Sequence, residues 1–182
     1  MMKVELVDYE DNWQKVKDRT MQTIGKTSGK YPDHEWKKKI LKAEHSPIRL
    51  LTFTIKFTDI PYWVVGHFVR HKIGVEHFVS TQRTDRTGVS RDELPQNNPV
   101  GYTMVADAQA LINISRKRLC NCASSETRKA WQIVKDEIAK VEPELAECMV
   151  RECVYRGHCP EMYGCSYAGS PAFQKEIEEY RK

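Results

Sequence analysis

The chain has 182 residues, 29 of them Lys or Arg and 25 Asp or Glu, for a net charge of +4. That length suits one domain with a real core, burying about 70% of the surface an unfolded chain exposes. The charge is too small for a nucleic-acid tail or a polybasic membrane anchor, and a 40% hydrophobic composition with four Trp and eight Tyr rules out a compositionally disordered chain.

The N-terminal stretch is acidic, and no secretory signal is visible in it. Lys3 to Val7 alternates polar and apolar residues and predicts a short strand. Asp11 caps a predicted helix running to about Ile24, Gly25 to Tyr31 is a loop, and Asp33 caps a second helix through Ala43, ended by Ser46-Pro47. Leu51, Phe53, Ile55 and Phe57 alternate with polar residues, the pattern of a half-buried strand. Asp59 and Pro61 then start a helix to about Arg70, apolar on nearly every side and so expected to be central. The apolar run Ile60 to Val69 is the longest in the chain, is broken by Gly66 and His67, and is too short to span a bilayer.

Gly74 breaks the pattern, and Glu76 to Ser80 predicts a strand. Thr81 to Asn97 is polar and turn-rich. Asn98-Pro99 fits a helix start, with the helix expected to reach Leu119. Ser124 caps a helix through Ala139, Pro143 begins another, Gly157 to Gly169 is a Cys, Gly and Tyr loop, and Ser170-Pro171 opens a last helix with Phe173, Ile177 and Tyr180 at helical spacing. Few strands and many helices without βαβ regularity make the fold class α+β.

The densest chemical signal is Arg70-His71-Lys72, then seven residues, then Ser80-Thr81-Gln82-Arg83. Such a string sets cations at the end of a rigid helix and follows them with hydroxyls and backbone amides. Arg70 or Arg83 can hold a phosphate bidentately, as Lys cannot. The plainer reading is a cationic helix end complementing the helix dipole. It accounts for any one residue but not for Ser80 to Arg83, which lie beyond the helix.

This string resembles the signature of the flavin-dependent thymidylate synthases, Arg-His-Arg followed after seven residues by Ser, with Lys72 in the third place. The resemblance extends both ways. Ser46-Pro47, the Leu51 to Phe57 strand and Pro61 are similar to the segment that leads into that signature. Ser90-Arg91 with Leu94-Pro95 is similar to the family's Ala-Arg-x-x-Leu-Pro, and from Pro95 the register holds through Asp107-Ala108-Gln109, Leu111 and Asn113 to Arg118. The match covers about residues 46 to 128.

The resemblance implies a small, curved, mainly antiparallel sheet packed with helices, in one domain over residues 1–182 with a Cys-rich segment from about 148. It implies a methyltransferase that converts dUMP to dTMP with methylene-tetrahydrofolate as carbon donor, reduced FAD as hydride source and NADPH as reductant. Arg118 and Ser80 would be catalytic. His67, Arg70, Ser80, Thr81, Gln82, Arg83, Arg91 and Arg118 would hold dUMP, and Ser46, Arg70, His71, Lys72 and Asn113 would hold FAD. A homotetramer with shared active sites is expected. His67 stands where the family has Gln, Gln82 where it has Arg, and Asp107 and Gln109 where it has Asn and Arg at FAD contacts. These departures leave a dUMP hydroxymethylase or an inactive homologue open. A nucleic-acid-binding module ranks third, since aromatic–basic interleaving is missing.

All six Cys lie at or after Cys120. A reducing, cytoplasmic setting is expected, in which they are thiols or metal ligands. There is no Cys-x-x-Cys pair, so the ordinary zinc spacing is missing and no metal is expected. Convergence of Cys148, Cys153, Cys159 and Cys165 in space remains geometrically possible.

Overall fold

A computed structural model describes residues 2–182. Four strands, β1 (Lys3–Tyr9), β2 (Thr52–Pro61), β3 (Val75–Val79) and β4 (Pro99–Asp107), form one sheet in the order β1-β2-β4-β3, every neighbouring pair antiparallel. Nine α-helices accompany it among the described residues. They are α1 (Trp13–Thr23), α2 (His34–Lys42), α3 (Tyr62–Phe68), α4 (Thr84–Thr87), α5 (Ala108–Arg118), α6 (Ser125–Ala139), α7 (Pro143–Cys148), α8 (Glu152–Arg156) and α9 (Pro171–Arg181). The class is α+β, as the sequence predicts. No helix among the described residues is long and apolar enough to cross a membrane.

Period-two patterning builds the sheet. Phe53, Ile55, Phe57 and Ile60 of β2 and Val100, Tyr102, Met104 and Ala106 of β4 are buried on the same face. Helices α3 and α5 pack against these central strands, and α6 against β1 and α3. Phe57 stacks on Tyr102 at 5.0 Å, and Phe68 of α3 meets Trp131 of α6 at 5.5 Å. Trp131 is fully buried and donates from Nε1 to Ser115 Oγ of α5 at 2.8 Å. One residue therefore ties α6 to both α3 and α5. At the far side, the buried Glu142 carboxylate accepts from Trp13 Nε1 at 2.8 Å and from the Tyr9 hydroxyl at 3.1 Å. Burial holds its pKa above the ordinary value.

The largest correction concerns Pro99. The predicted helix from Asn98-Pro99 to Leu119 is two elements, strand β4 followed by α5. Val100, Tyr102, Met104 and Ala106 alternate with half-exposed Gly101, Thr103 and Val105, a period of two that β-branched and aromatic side chains favour. The helix starts at Asp107, whose carboxylate accepts from the Ala110 N–H at 2.7 Å. Smaller differences follow the same logic. β2 runs on to Pro61 through a register shift between Phe57 and Ile60, so Pro61 caps α3 from outside. Helix α3 ends at Phe68, and its Tyr62 is exposed, so it is central on one face only. Asn12, not Asp11, precedes α1, and Ser46-Pro47 opens a short 3-10 turn, Ser46–Leu50, after α2 has ended.

Most buried residues, Cys148 included, form one core. A second, smaller cluster of Val150, Cys153, Val154, Phe173 and Ile177 holds the C-terminal segment.

Candidate functional site

Gly74 and β3 set the geometry. Gly74 has a φ of +71°, and a Cβ there would stand 2.4 Å from the Asp107 carboxylate, so only glycine makes this turn. The turn places His71 before one end of β3 and Ser80 after the other. Two groups of predicted site residues gather at these ends.

At the first end, where α3 stops, α5 delivers Arg118. Its Nε donates to His71 Nε2 at 2.9 Å and its Nη2 to the His67 carbonyl at 2.7 Å. His77 of β3 locks the loop, with Nε2 donating to the His71 carbonyl at 2.6 Å and Nδ1 accepting from the Tyr102 hydroxyl at 2.7 Å. These partners fix the tautomers, because a carbonyl only accepts. His67 Nδ1 meets Thr127 Oγ1 at 2.9 Å, and Ser124 donates to the same hydroxyl at 2.7 Å. The arginine seat is thus assembled from α3, β3, α5 and α6.

Its electrostatics are one-sided. Arg116 pairs with Glu44 and stacks on Tyr155, and Lys117 lies 3.6 Å from Glu161. Arg118, Arg70 and Lys72 make no ion pair among the described residues. Burial, then the Arg70 charge, hold the Arg118 guanidinium below its ordinary pKa. Burial first, then Arg118 and His77, push the His71 imidazole from 6.5 to about 4. Burial, Arg118 and Arg70 push His67 the same way. The arrangement is a partly desolvated cationic corner that lacks a counter-ion, which is what an anion relieves.

A pH dependence follows. Between about pH 6.5 and pH 4, His71 binds a proton in the unfolded chain but not in the folded one. Stability is then expected to fall as pH drops through that window. Thermal melts of wild type and His71→Gln across the window check this. The variant should lose part of the slope, and an unchanged slope would show that His71 carries none of it.

At the second end, Ser80, Thr81, Gln82 and Arg91 line a cavity of about 490 Å³ with Tyr62, Leu94 and other residues of the Arg91 loop. The size lies in the range of small-molecule sites. Arg91 Nε donates to the Gln82 carbonyl at 3.3 Å. Ser80 is pinned to β4 by its N–H to the Gly101 carbonyl at 2.9 Å, and a Cβ at Gly101 would stand 2.7 Å from Ser80 Oγ. Gly101→Ala is therefore expected to rotate the Ser80 hydroxyl while costing little stability. If that hydroxyl binds ligand, affinity drops about tenfold, the worth of one hydrogen bond. Calorimetric titration beside a thermal melt tests it; unchanged affinity would remove Ser80 from the contact set.

The remaining predicted residues scatter within one chain. Arg83 turns back to Asp85 in a bidentate pair at 2.9 and 2.8 Å. Ser46 borders a different depression with Arg49 and Thr23. Asn113 sits with Gln109 and Arg116, on a face of α5 turned away from Arg118. Asp107 and Gln109 serve structural bonds, Asp107 as helix cap and Gln109 to Glu44 at 2.6 Å. Sequence reasoning missed His77, Tyr102 and Thr127 as supports of the arginine seat. His77 and Tyr102 lie on strands whose neighbours are unknown until the sheet order is known, and no signal marks Thr127.

No family model matches the sequence, and no curated protein matches it significantly. Solved structures share the fold. Thymidylate Synthase X (ThyX) from Helicobacter pylori, with FAD and dUMP, aligns at a TM-score of 0.65 and 12% identity, covering 82% of this chain and 99% of that one. A second structure of H. pylori ThyX, complexed with FAD and dUMP, gives 0.66 and 11%, covering 82% and 100%. The UMP/dUMP methylase PolB from Streptomyces cacaoi, bound with 5-Br dUMP, gives 0.65 and 15%, covering 81% and 94%. The fold is therefore that of the flavin-dependent thymidylate synthases.

Proposed function

We propose that this protein is an FAD-dependent thymidylate synthase that methylates dUMP to dTMP, with methylene-tetrahydrofolate as carbon donor and NADPH as reductant. One observation carries the reading. In a fold that also holds dUMP in solved neighbours, Arg118 is seated and partly desolvated without a carboxylate, beside Arg70.

Arg118 faces the pyrimidine and stabilises negative charge that develops on the uracil ring, the task of fixed donors in a dry site. His71 stays neutral at pH 7 and so accepts from Arg118 instead of repelling it. Ser80, Thr81, Gln82 and Arg91 bind and orient dUMP, with Arg91 on the phosphate. Reduced FAD, when bound, supplies the hydride, and the protein supplies position and field. The donor set suits that cofactor: Arg70 and Lys72 are exposed cations free of ion pairs among the described residues, at the end of α3, matched to a pyrophosphate. Ser46 and Asn113 reach the same flavin only from other subunits.

That requirement supports a homotetramer. The Arg118 corner and the Ser80 cavity sit at the two ends of β3, a strand about 16 Å long. Apolar Tyr62, Ile73, Phe78 and Val79 are exposed between and around them. A second copy closing over β3 would bring one subunit's corner to another's cavity. Light scattering should give about four chains per particle.

The deciding experiment is the visible spectrum of the purified protein before and after FAD and dUMP. A flavin spectrum perturbed by dUMP is expected. A protein that takes up no FAD and gives no heat with dUMP overturns the reading. Product mass spectrometry separates methyl transfer from hydroxymethyl transfer by one oxygen.

A further inference from the structure

Four cysteines distant along the chain line one small, largely enclosed cavity. Cys120 comes from the turn after α5, Cys153 from α8, and Cys159 and Cys165 from the loop before α9. The free space is about 10 Å³. That is about one water-sized sphere, too little for an organic ligand and enough for an ion. Of the other two cysteines, Cys148 is buried in the main core, whereas Cys122 is exposed beside the cavity, its thiol next to those of Cys120 and Cys165 and toward the Tyr163 carbonyl at 3.9 Å. The grouping read from sequence, with Cys148 as fourth member, thus changes to one with Cys120.

A second observation comes from Arg151, which lines the same cavity. Its Nη1 donates to Glu176 at 2.5 Å and its guanidinium stacks on Tyr167 at 4.5 Å. Its Nε–H, however, is buried without an acceptor. A buried donor left unpaired costs more than a made bond returns, so an acceptor beside Nε would relieve it. Thiolate sulfur is such an acceptor, and outer N–H···S bonds are a regular support of metal thiolates.

We propose that Cys120, Cys153, Cys159 and Cys165 bind a structural zinc ion as a tetrahedral all-thiolate site, with Arg151 Nε donating to one of the sulfurs. Among the described residues no three ligand side chains stand in coordinating geometry. A cysteine sulfur moves about 3 Å between staggered rotamers, so the ion gathers them by side-chain rotation to about 2.3 Å. Four thiols lose four protons to solvent as the ion binds, leaving a site of charge −2 beside the Arg151 Nε–H. The site has a structural purpose. The C-terminal segment holds together around only five buried residues, and so thin a core needs a staple. Cys120 is two residues past Arg118, so the staple also anchors the end of α5.

Elemental analysis of protein purified under reducing conditions without chelator tests this. About one zinc per chain is expected, lost in Cys159→Ser and Cys165→Ser and kept in Cys148→Ser. Where a variant does not fold, the wild type answers. Cobalt replacing zinc in the full chain should give the visible bands and sulfur-to-metal charge transfer of tetrahedral thiolate. The metal should protect four of the six thiols from alkylation. Metal content near zero with all thiols reacting freely, or a mass two hydrogens lighter that reports a disulfide among the four, overturns the proposal. None of these readouts involves dUMP or flavin, so failure here is separable from failure of the proposed activity.

Discussion

Arg118→Ala should weaken dUMP binding at least about 100-fold, close to 3 kcal/mol, while the protein stays folded. The size follows from what the guanidinium is. It is a partly buried cation without an ion pair among the described residues, so a pyrimidine carbonyl facing it gains a charge-assisted bond in a low-dielectric corner. The fold survives because the side chain's own bonds are to a half-buried imidazole and one carbonyl, a loss of about 1 kcal/mol. Arg118→Lys should recover little, because one ammonium cannot hold His71 Nε2 and the His67 carbonyl at the present geometry and also face a ligand. Arg116→Ala is the control. It removes a neighbouring charge that Glu44 and Tyr155 already occupy, and should cost stability and not affinity. Calorimetry with dUMP beside thermal melts reads all three. If Arg118→Ala binds dUMP as wild type does, the corner is not the nucleotide site.

The largest stability loss is expected at Trp131. Trp131→Ala removes a fully buried indole between α6, α3 and α5 and should cost about 3–5 kcal/mol. Against a total of about 5–15 kcal/mol that is a large share. Urea unfolding should show a lower midpoint at an unchanged slope. Trp131→Phe should cost far less. It keeps the ring against Phe68 and loses one hydrogen bond, and Ser115 Oγ still donates to the Leu111 carbonyl at 2.7 Å. The alanine variant should also bind dUMP more weakly where it is still folded. Phe68 directly follows His67, and Ser115 sits one turn before Arg118, so the indole fixes the spacing of the arginine seat. A variant that melts within a degree of wild type would show that the core repacks without it.

The periodic segments were legible in the chain. Asp33, Ser124 and Ser170 each accept a backbone N–H at the predicted helix starts, and the β2 alternation survives as its buried face. Pro99 misled because proline can occupy the first residue of a strand as well as of a helix, and the alternation that followed it was the stronger signal. The order of anchors from Ser46 to Arg118 pointed to the right fold even though identity to solved neighbours is only 11–15%. Short local patterns survive divergence when they encode a turn, a cap or a buried stripe.

What the sequence determined alone is the inventory: cations, hydroxyls and thiols in a fixed order, on elements whose ends their caps announce. Only the family register sets Arg118 apart from Arg116 and Lys117 in that inventory. Folding separates them, because helical rotation gives one to Glu44, turns one toward Glu161 and carries the third over His71. Charge becomes chemistry here only where tertiary packing removes water and withholds a carboxylate, and both are properties of neighbours brought from across the chain.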